Sequence, residues 1–301
     1  MPITLAAANN HVASQSTRLV AIKHNEFWPR YLFHACHVTN AVSIVRAGRL
    51  ECRENLLAYV DVANQGALNN FAGSHNHARL YLRPKNMFHL RTEGILCEGD
   101  PNRLQNHMSI PVMFLFKFVE VITNADAVFS EGNIQRTKTW LDGDAAFNAL
   151  DFHAIYHDAA PPQDKGDYIR NMRMTEVGVR GGLSLQGNLS AILFRTKWDM
   201  ETFKLLLEEE GLQCPYNLGV EQIHASVFQS RGLYLTNVSA NDRKLNLSFS
   251  FPIANAPLNG MYAVKVVQTT ALSTWTYDHS VKLPRAGLEI SGFSPKIVRG
   301  K

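Results

Sequence analysis

The sequence predicts an α+β fold on two observations. Extended and helical segments are intermixed without the steady βαβ rhythm of a doubly wound sheet, and beyond Gly211 the chain becomes a succession of alternating, β-rich segments. With 301 residues, 46% hydrophobic and 19% charged, it can bury a full core as one large domain or one with a small companion. The divisions fall at 1–29 for an N-terminal lead-in, 30–211 for the main domain and 212–301 for a small antiparallel module.

Residues 1–25 are polar, rich in small side chains and without clear periodicity, so a loose lead-in packed by Leu19, Val20 and Ile22 is expected. Tyr31 to His37 alternates as a strand does. Thr39 or Asn40 can cap the next helix, Val42, Ile44 and Val45 give it an apolar face, and Gly48 stops it. Residues 53–76 carry no firm signal beyond the loop-like stretches 64–66 and 69–73. Arg79 to Leu82 is a short strand that Pro84 must end, and Lys85 to Arg91 supplies a helical turn or two. The longest apolar run, Ile110 to Ile122, is interrupted by Lys117 and Glu120; it is too short to span a bilayer and reads as a buried strand.

Ala127 to Phe129 and the turn Ser130 to Asn133 follow, then a short helix over Asp142 to Leu150, a strand over Phe152 to Tyr156 and a loop over 159–166. Arg170 to Arg180 (RNMRMTEVGVR) is a basic lead-in, one carboxylate and a strand. Leu189 to Arg195 reads as another strand, and Lys197 to Glu210 as a helix ended by Gly211. Four extended segments make up the tail: Gly232 to Leu235, Lys244 to Phe251, Met261 to Val267 and Leu272 to Tyr277.

The formal charge of +4 is unevenly placed: residues 212–301 hold nine Lys/Arg against four Asp/Glu. Cys36, Cys52, Cys97 and Cys214 form no CxxC pair or zinc-type cluster, and no secretory leader or membrane span is evident, so a cytoplasmic protein with reduced thiols is expected. No GxxxxGK[ST], well-placed GxGxxG or GxSxG occurs, and Gly178 to Gly182 has the wrong context for a phosphate loop. The pair His75 and His77 lacks nearby Cys or carboxylate partners, so no metal is expected.

Glu176 is the candidate catalytic residue. A carboxylate entering a strand projects from a fixed backbone, which suits a site that stabilises a developing cation. The plain alternative is an ordinary ion pair with Arg173 or Arg180. His34 and His37, three apart on one strand, point to opposite sides of it.

Four segments in one order resemble the DarT family of NAD-dependent nucleic-acid ADP-ribosyltransferases, toxins of toxin-antitoxin pairs. They are Phe33 to Asn40 (FHACHVTN) with Val42 to Val45 and Gly48 to Leu50; Tyr81 to Met87 (YLRPKNM); Val128 to Asn133 (VFSEGN); and Arg170 to Val179. The resemblance covers roughly residues 30 to 200. It implies an ADP-ribosyltransferase-like mixed sheet with flanking helices, NAD as co-substrate and Glu176 as the catalytic acid residue. His34, His37, Asn40, Arg53 and Tyr81 would line the NAD site, with the turn Arg83 to Asn86 as a wall. The family's basic NAD-contacting residue in the loop after the first helix has no match between Tyr59 and Asn70, and the basic tail lacks a counterpart in the compact members.

Breaking the nicotinamide–ribose bond builds positive charge on the ribose, which a fixed carboxylate stabilises without a metal. The capped start of the first helix after His37, with Arg46, Arg49, Arg53, Arg83, Lys85, Arg170 and Arg173, offers donors for phosphates; Lys85, Arg170 and Arg173 are assigned to nucleic acid. The acceptor would be a base of single-stranded DNA or RNA, since a paired base is blocked. Phe71, Tyr81, Phe88, Trp140, Tyr156 and Tyr168 are candidates for stacking on it. A cognate antitoxin is the expected partner. DNA is the first acceptor considered; the alternatives are RNA, a protein acceptor, or a catalytically degenerate protein that grips nucleic acid or a partner through its tail.

Overall fold

A seven-stranded sheet forms the centre of the computed structural model, which describes residues 1–21, 25–56, 71–100, 107–221, 226–230, 232–241, 244–250, 260–269, 274–284 and 287–291. Its strands are β1 (Tyr31–His37), β3 (His77–Tyr81), β4 (Pro111–Lys117), β5 (Ala127–Phe129), β6 (Glu176–Arg180), β8 (Leu189–Phe194) and β9 (Leu218–Val220), while β2 (Arg49–Leu50) and β7 (Leu183–Ser184) pair with each other. The spatial order is β5-β6-β3-β1-β4-β8-β9, antiparallel throughout except for the β8–β9 pair. The helices are α1 (Leu5–Val20), α2 (Val38–Ala47), α3 (Met87–Thr92), α4 (Phe118–Ile122), α5 (Ile134–Thr137), α6 (Asp144–Asn148), α7 (Phe152–Ile155), α8 (Gly166–Met172) and α9 (Lys197–Glu209). The mixed architecture is the expected α+β class.

Most expected elements form, and where the structure differs the cause is local. The N-terminal segment is a 16-residue helix rather than a loose lead-in. Thr4 caps it by accepting from Ala7 N, and the Asp144 carboxylate in turn holds Thr4 N at 2.7 Å and Thr4 Oγ1 at 2.6 Å. Its buried face is Ala8, His11 and Leu19, too small and too polar to show as a period in the sequence, while Val20 is exposed. His11 lies among Phe118, Phe147, Phe152 and Tyr156 and bonds Tyr156 Oη at 3.0 Å, which fastens α1 to the body.

Helix α2 starts earlier than expected, because His37 is its N-cap: the imidazole accepts from Thr39 N, so neither Thr39 nor Asn40 is the cap. Gly48 ends it with φ +64°, as the sequence indicates. The apolar run Ile110 to Ile122 is not one strand. The ladder stops at Lys117, and Phe118, Val121 and Ile122, spaced as one face of a helical turn, are buried from α4. Residues 152–155 are helical rather than extended because Asp151 caps them, Oδ1 accepting from Ala154 N at 3.0 Å. The expectations on Ile22 and on the loop between 57 and 70 fall outside the described residues.

The tail builds two small antiparallel assemblies: β10 (Tyr234–Ala240), β11 (Lys244–Ser250) and β14 (Leu288–Ser291) in one sheet, and β12 (Tyr262–Thr269) with β13 (Thr274–Val281) in another. Strand β9 belongs to the central sheet, so that sheet draws on residues past position 211. The module is tied to the segment after α3: Ile95 N donates to Leu233 O at 2.7 Å, Glu98 N to Met261 O at 2.8 Å, and the Glu93 carboxylate accepts from Gln229 N and Ser230 N. Beneath this joint Arg195, buried, lies between Glu93 and Asp199 and its guanidinium covers the Tyr234 ring at 4.2 Å. Burial, partly offset by Arg195, raises the pKa of both carboxyls. Among the described residues no helix is long and apolar enough to cross a membrane.

Candidate active site

Glu176 opens β6 directly opposite Tyr81 of β3, which in turn lies opposite Phe33 of β1. Strand alternation sets Arg79 on the same face as Tyr81 and across from Gly178, so the side chains of Arg79, Tyr81 and Glu176 meet. Arg79 Nε donates to Glu176 Oε2 at 2.5 Å, and the guanidinium also hydrogen-bonds Tyr81. The Glu176 side chain is fully buried, and its second oxygen, Oε1, has no hydrogen-bond partner. The ordinary-pairing alternative is thus half met: an ion pair exists, but with Arg79, not with Arg173 or Arg180.

The charges in this group shift one another. Burial lowers the affinity of the Arg79 guanidinium for its proton, but the negative charge of Glu176 and the contact with Tyr81 more than reverse this, leaving its pKa raised. Burial and the neighbouring Glu176 charge raise the Tyr81 phenol. Tyr81 therefore serves as a neutral donor and Arg79 as a permanent cation.

The β1–β3 ladder holds the single register pair Phe33↔Tyr81. Beside it the His34 imidazole reaches from β1 to β3, Nδ1 donating to Arg79 O at 3.0 Å. His89 in α3 lies 6.1 Å from Tyr81 between ring centroids, with Nε2 unpartnered. Burial, with His34 and Arg83 nearby, pushes His89 down to about 3, and burial also lowers His34. Both rings are neutral at physiological pH.

The backbone of Glu176 is fixed by the turn that follows β5. Glu176 N donates to Ser130 Oγ at 3.1 Å and Ser130 N to Glu176 O at 2.9 Å; Gly132 N donates to Thr175 Oγ1 at 3.1 Å. Gly132 has φ +89°, and a Cβ there would stand 2.2 Å from Asn171 Nδ2, so only glycine fits. Gly178 admits a close approach of another kind: a Cβ would meet Trp140 Cη2 at 2.9 Å and His77 Cδ2 at 3.1 Å, and the two rings pack 4.9 Å apart over it.

The other sequence-indicated residues are distributed around this group. His37 turns away from His34, toward Thr39 and Ser109, with Nε2 at 3.4 Å from Ser109 Oγ. It lies roughly 13 Å along β1 from the row that contains Phe33, Tyr81 and Glu176. Burial and His107 lower its pKa. Asn40 is in the first turn of α2, and Arg53 on the 3-10 turn Arg53–Asn55, which is tied to the approach to β3 by Glu54 N donating to His75 O. Lys85 stands in the turn after β3 with φ +53°, and Arg170 is exposed on α8, paired with Asp167 at 2.7 Å.

Arg173 is committed inward. It is 8% exposed and donates to His157 Nδ1 at 2.8 Å and to Ala159 O. Arg83 is likewise structural: buried over Trp28, it bonds Pro84 O, His157 O and Asp158 Oδ1. Burial, then the balance of Asp158 and Arg173, lowers it to about 10. Tyr156 is core, beside His11. Among the described residues no group of three or more His, Cys, Asp or Glu could hold a metal ion.

Sequence reasoning missed Arg79, His89 and Ser130 as site residues, and placed Asn86 only as part of the Arg83 to Asn86 wall. A lone Arg between Ala78 and Leu80 on a strand is a signal that a buried partner exists. Asn86 two residues before Phe88 is an N-cap signal, and its Oδ1 does accept from Phe88 N and His89 N, which sets His89 facing Tyr81.

Comparisons with known proteins concern this same region. The family model described as "ssDNA thymidine ADP-ribosyltransferase, DarT" matches residues 33–221. Among solved structures, DarT of Thermus sp. 2.9 in complex with ADP-ribosylated ssDNA is similar at 13% identity and a TM-score of 0.52, over 66% of this chain and 97% of that one. The same Thermus protein in complex with NAD+ matches at 12% identity and a TM-score of 0.49, over 66% and 98%. DarTG of Thermosipho africanus in complex with ADP-ribose matches at 13% and 0.47, over 66% of this chain and 51% of that one. No curated protein matches.

Proposed function

As a member of the DarT family, the chain is an NAD-dependent ADP-ribosyltransferase acting on single-stranded DNA, and we propose that it transfers ADP-ribose from NAD to a thymine base, with Glu176 as the catalytic residue. One observation carries this reading. Glu176 is buried at the start of β6, next to the edge strand β5, with one oxygen held by Arg79 and the other unpartnered, which supports its role as a preorganised acceptor for a ribose hydroxyl.

In this reading Glu176 Oε1 accepts from the ribose of NAD and the carboxylate opposes the positive charge that develops as nicotinamide leaves; one such contact is worth about 3 kcal/mol in the transition state. Arg79 and Tyr81 keep the carboxylate aimed, and Glu176 receives the proton that the acceptor base gives up. His34, His89 and Tyr81 form neutral walls, while His37, Asn40 and the start of α2 lie further along β1, where backbone donors suit phosphates. Arg53 is the cation of that end. Lys85, in the turn after β3, and Arg170, exposed on α8, are candidate contacts for the DNA backbone, while Arg173 is taken up in holding residues 157–159.

The resemblance further supports a toxin restrained by a cognate antitoxin, acting in the cytoplasm, where four unpaired cysteines stay reduced. The test is labelled NAD with single-stranded DNA, RNA and bulk protein offered in parallel. The reading expects label on DNA alone, nicotinamide released in step, and loss of both with Glu176→Ala in a protein that melts cooperatively. Label on protein or RNA in preference to DNA overturns the acceptor; full activity in Glu176→Ala overturns the site.

A further inference from the structure

The family match ends at residue 221, and beyond it the chain carries a two-stranded ribbon, β12–β13, whose strands pair only with each other among the described residues. Its inner end is core: Tyr262, Val264 and Val281 pack with Leu233, Leu283 and Phe249. The register places Val264 opposite His279 and Val266 opposite Tyr277, so the face that begins as core continues outward along β13 as His279, Tyr277 and Trp275. The Trp275 and Tyr277 planes lie within 28° of each other with centroids 6.4 Å apart, and His279 meets Tyr277 edge-on at 4.6 Å. Trp275 and Tyr277 are half-buried and His279 is exposed, so the rings form a strip at the surface rather than a second core. The opposite face of β13 is polar, with Thr274, Thr276, Asp278 and Ser280 all exposed.

Trp275 and Tyr277, on alternate positions of one strand and nearly parallel at the surface, offer flat rings of the kind on which unpaired bases stack. The charge agrees, since the segment from 212 to 301 carries nine Lys/Arg against four Asp/Glu. Lys265 and Lys282 are exposed on the other face of the ribbon, where Lys265 pairs with Asp278 at 4.0 Å.

We propose that the β12–β13 ribbon is a stacking platform for single-stranded DNA, which holds the substrate strand outside the catalytic cleft by its bases while the basic tail holds its phosphates. This rests on the reading of the protein as an enzyme of single-stranded DNA, and adds a binding site outside the family region.

The experiment is fluorescence anisotropy of a labelled single-stranded oligonucleotide with the full chain in its Glu176→Gln form, so that no turnover occurs. The double variant Trp275→Ala/Tyr277→Ala is expected to bind roughly tenfold or more weakly. The loss should persist at raised salt, because stacking is not counterion-driven. Trp275→Phe/Tyr277→Phe keeps flat rings and is expected to bind like the parent. Equal melting midpoints establish that the variants fold.

Unchanged binding in the alanine variant overturns the platform, and so does equal weakening in the phenylalanine variant. If the wild-type enzyme labels DNA but the alanine variant binds normally, the ribbon assignment falls and the enzyme reading stands. If binding depends on the rings but no DNA is ever labelled, the enzyme reading falls and the ribbon stands.

Discussion

Replacing Arg79 by Met removes the one cation bonded to the buried Glu176 carboxylate while keeping an unbranched side chain of comparable reach. Breaking a buried ion pair by deleting one partner costs about 3–5 kcal/mol, because the remaining charge is left uncompensated. Arg79 is 26% exposed, so solvent relieves part of this and the low end, about 3 kcal/mol, is the expected loss. In a domain of this size that lowers the melting midpoint by roughly 6–12 °C. Glu176→Gln removes the charge instead, and the double variant Arg79→Met/Glu176→Gln should melt well above the sum of the two single losses, with a coupling of about 1–3 kcal/mol. Urea unfolding of the four proteins followed by circular dichroism measures the cycle. Coupling near zero would refute the claim that Arg79 holds Glu176 in place. In the transfer assay Arg79→Met should also lose on the order of a hundredfold, since the carboxylate is no longer aimed.

Three further outcomes follow from the same geometry. Gly132→Ala places a Cβ against Asn171 at a positive φ, so it should destabilise the protein by about 1–3 kcal/mol and lower transfer by loosening Glu176; wild-type melting and activity would show that the turn does not set the site. His11 and His89 are each held down to about 3 against 6.5 when unfolded, so their stability contribution is complete above pH 6.5 and declines as pH falls toward 3. At pH 5 the loss is about 2 kcal/mol for each, and His89→Gln should flatten the pH dependence of the urea midpoint; an unchanged slope would refute the burial of a neutral ring. Arg83→Met leaves Asp158 and the carbonyls of His157 and Pro84 without their donor, and should cost about 3 kcal/mol in stability, read as a drop in the urea midpoint.

Much of the architecture is written in local patterns. The alternation of Tyr31 to His37, the Gly48 stop and the Glu176 strand needed no tertiary information, because each is set by neighbours within a few residues. The N-terminal helix was illegible since its buried face is Ala8 and His11, residues that gain their meaning only against Phe118, Phe147 and Phe152. Similarly, Phe118 to Ile122 read as strand because continuous apolarity hides whether burial repeats every second or every third and fourth residue. Glu176 was visible as a carboxylate at a strand start, but Arg79 as its partner depends on the β3–β6 register, and Arg173 as an internal staple depends on where His157 and Ala159 come to lie.

We propose Glu176 as the carboxylate through which this chain attaches ADP-ribose to unpaired DNA. Intact-mass spectrometry of a thymine-containing oligonucleotide, incubated with NAD and either the wild-type protein or Glu176→Gln, tests it most directly. The wild type should add one ADP-ribose and the variant none, at equal melting midpoints. An unmodified oligonucleotide with the wild type, or an equal gain with both proteins, would contradict it.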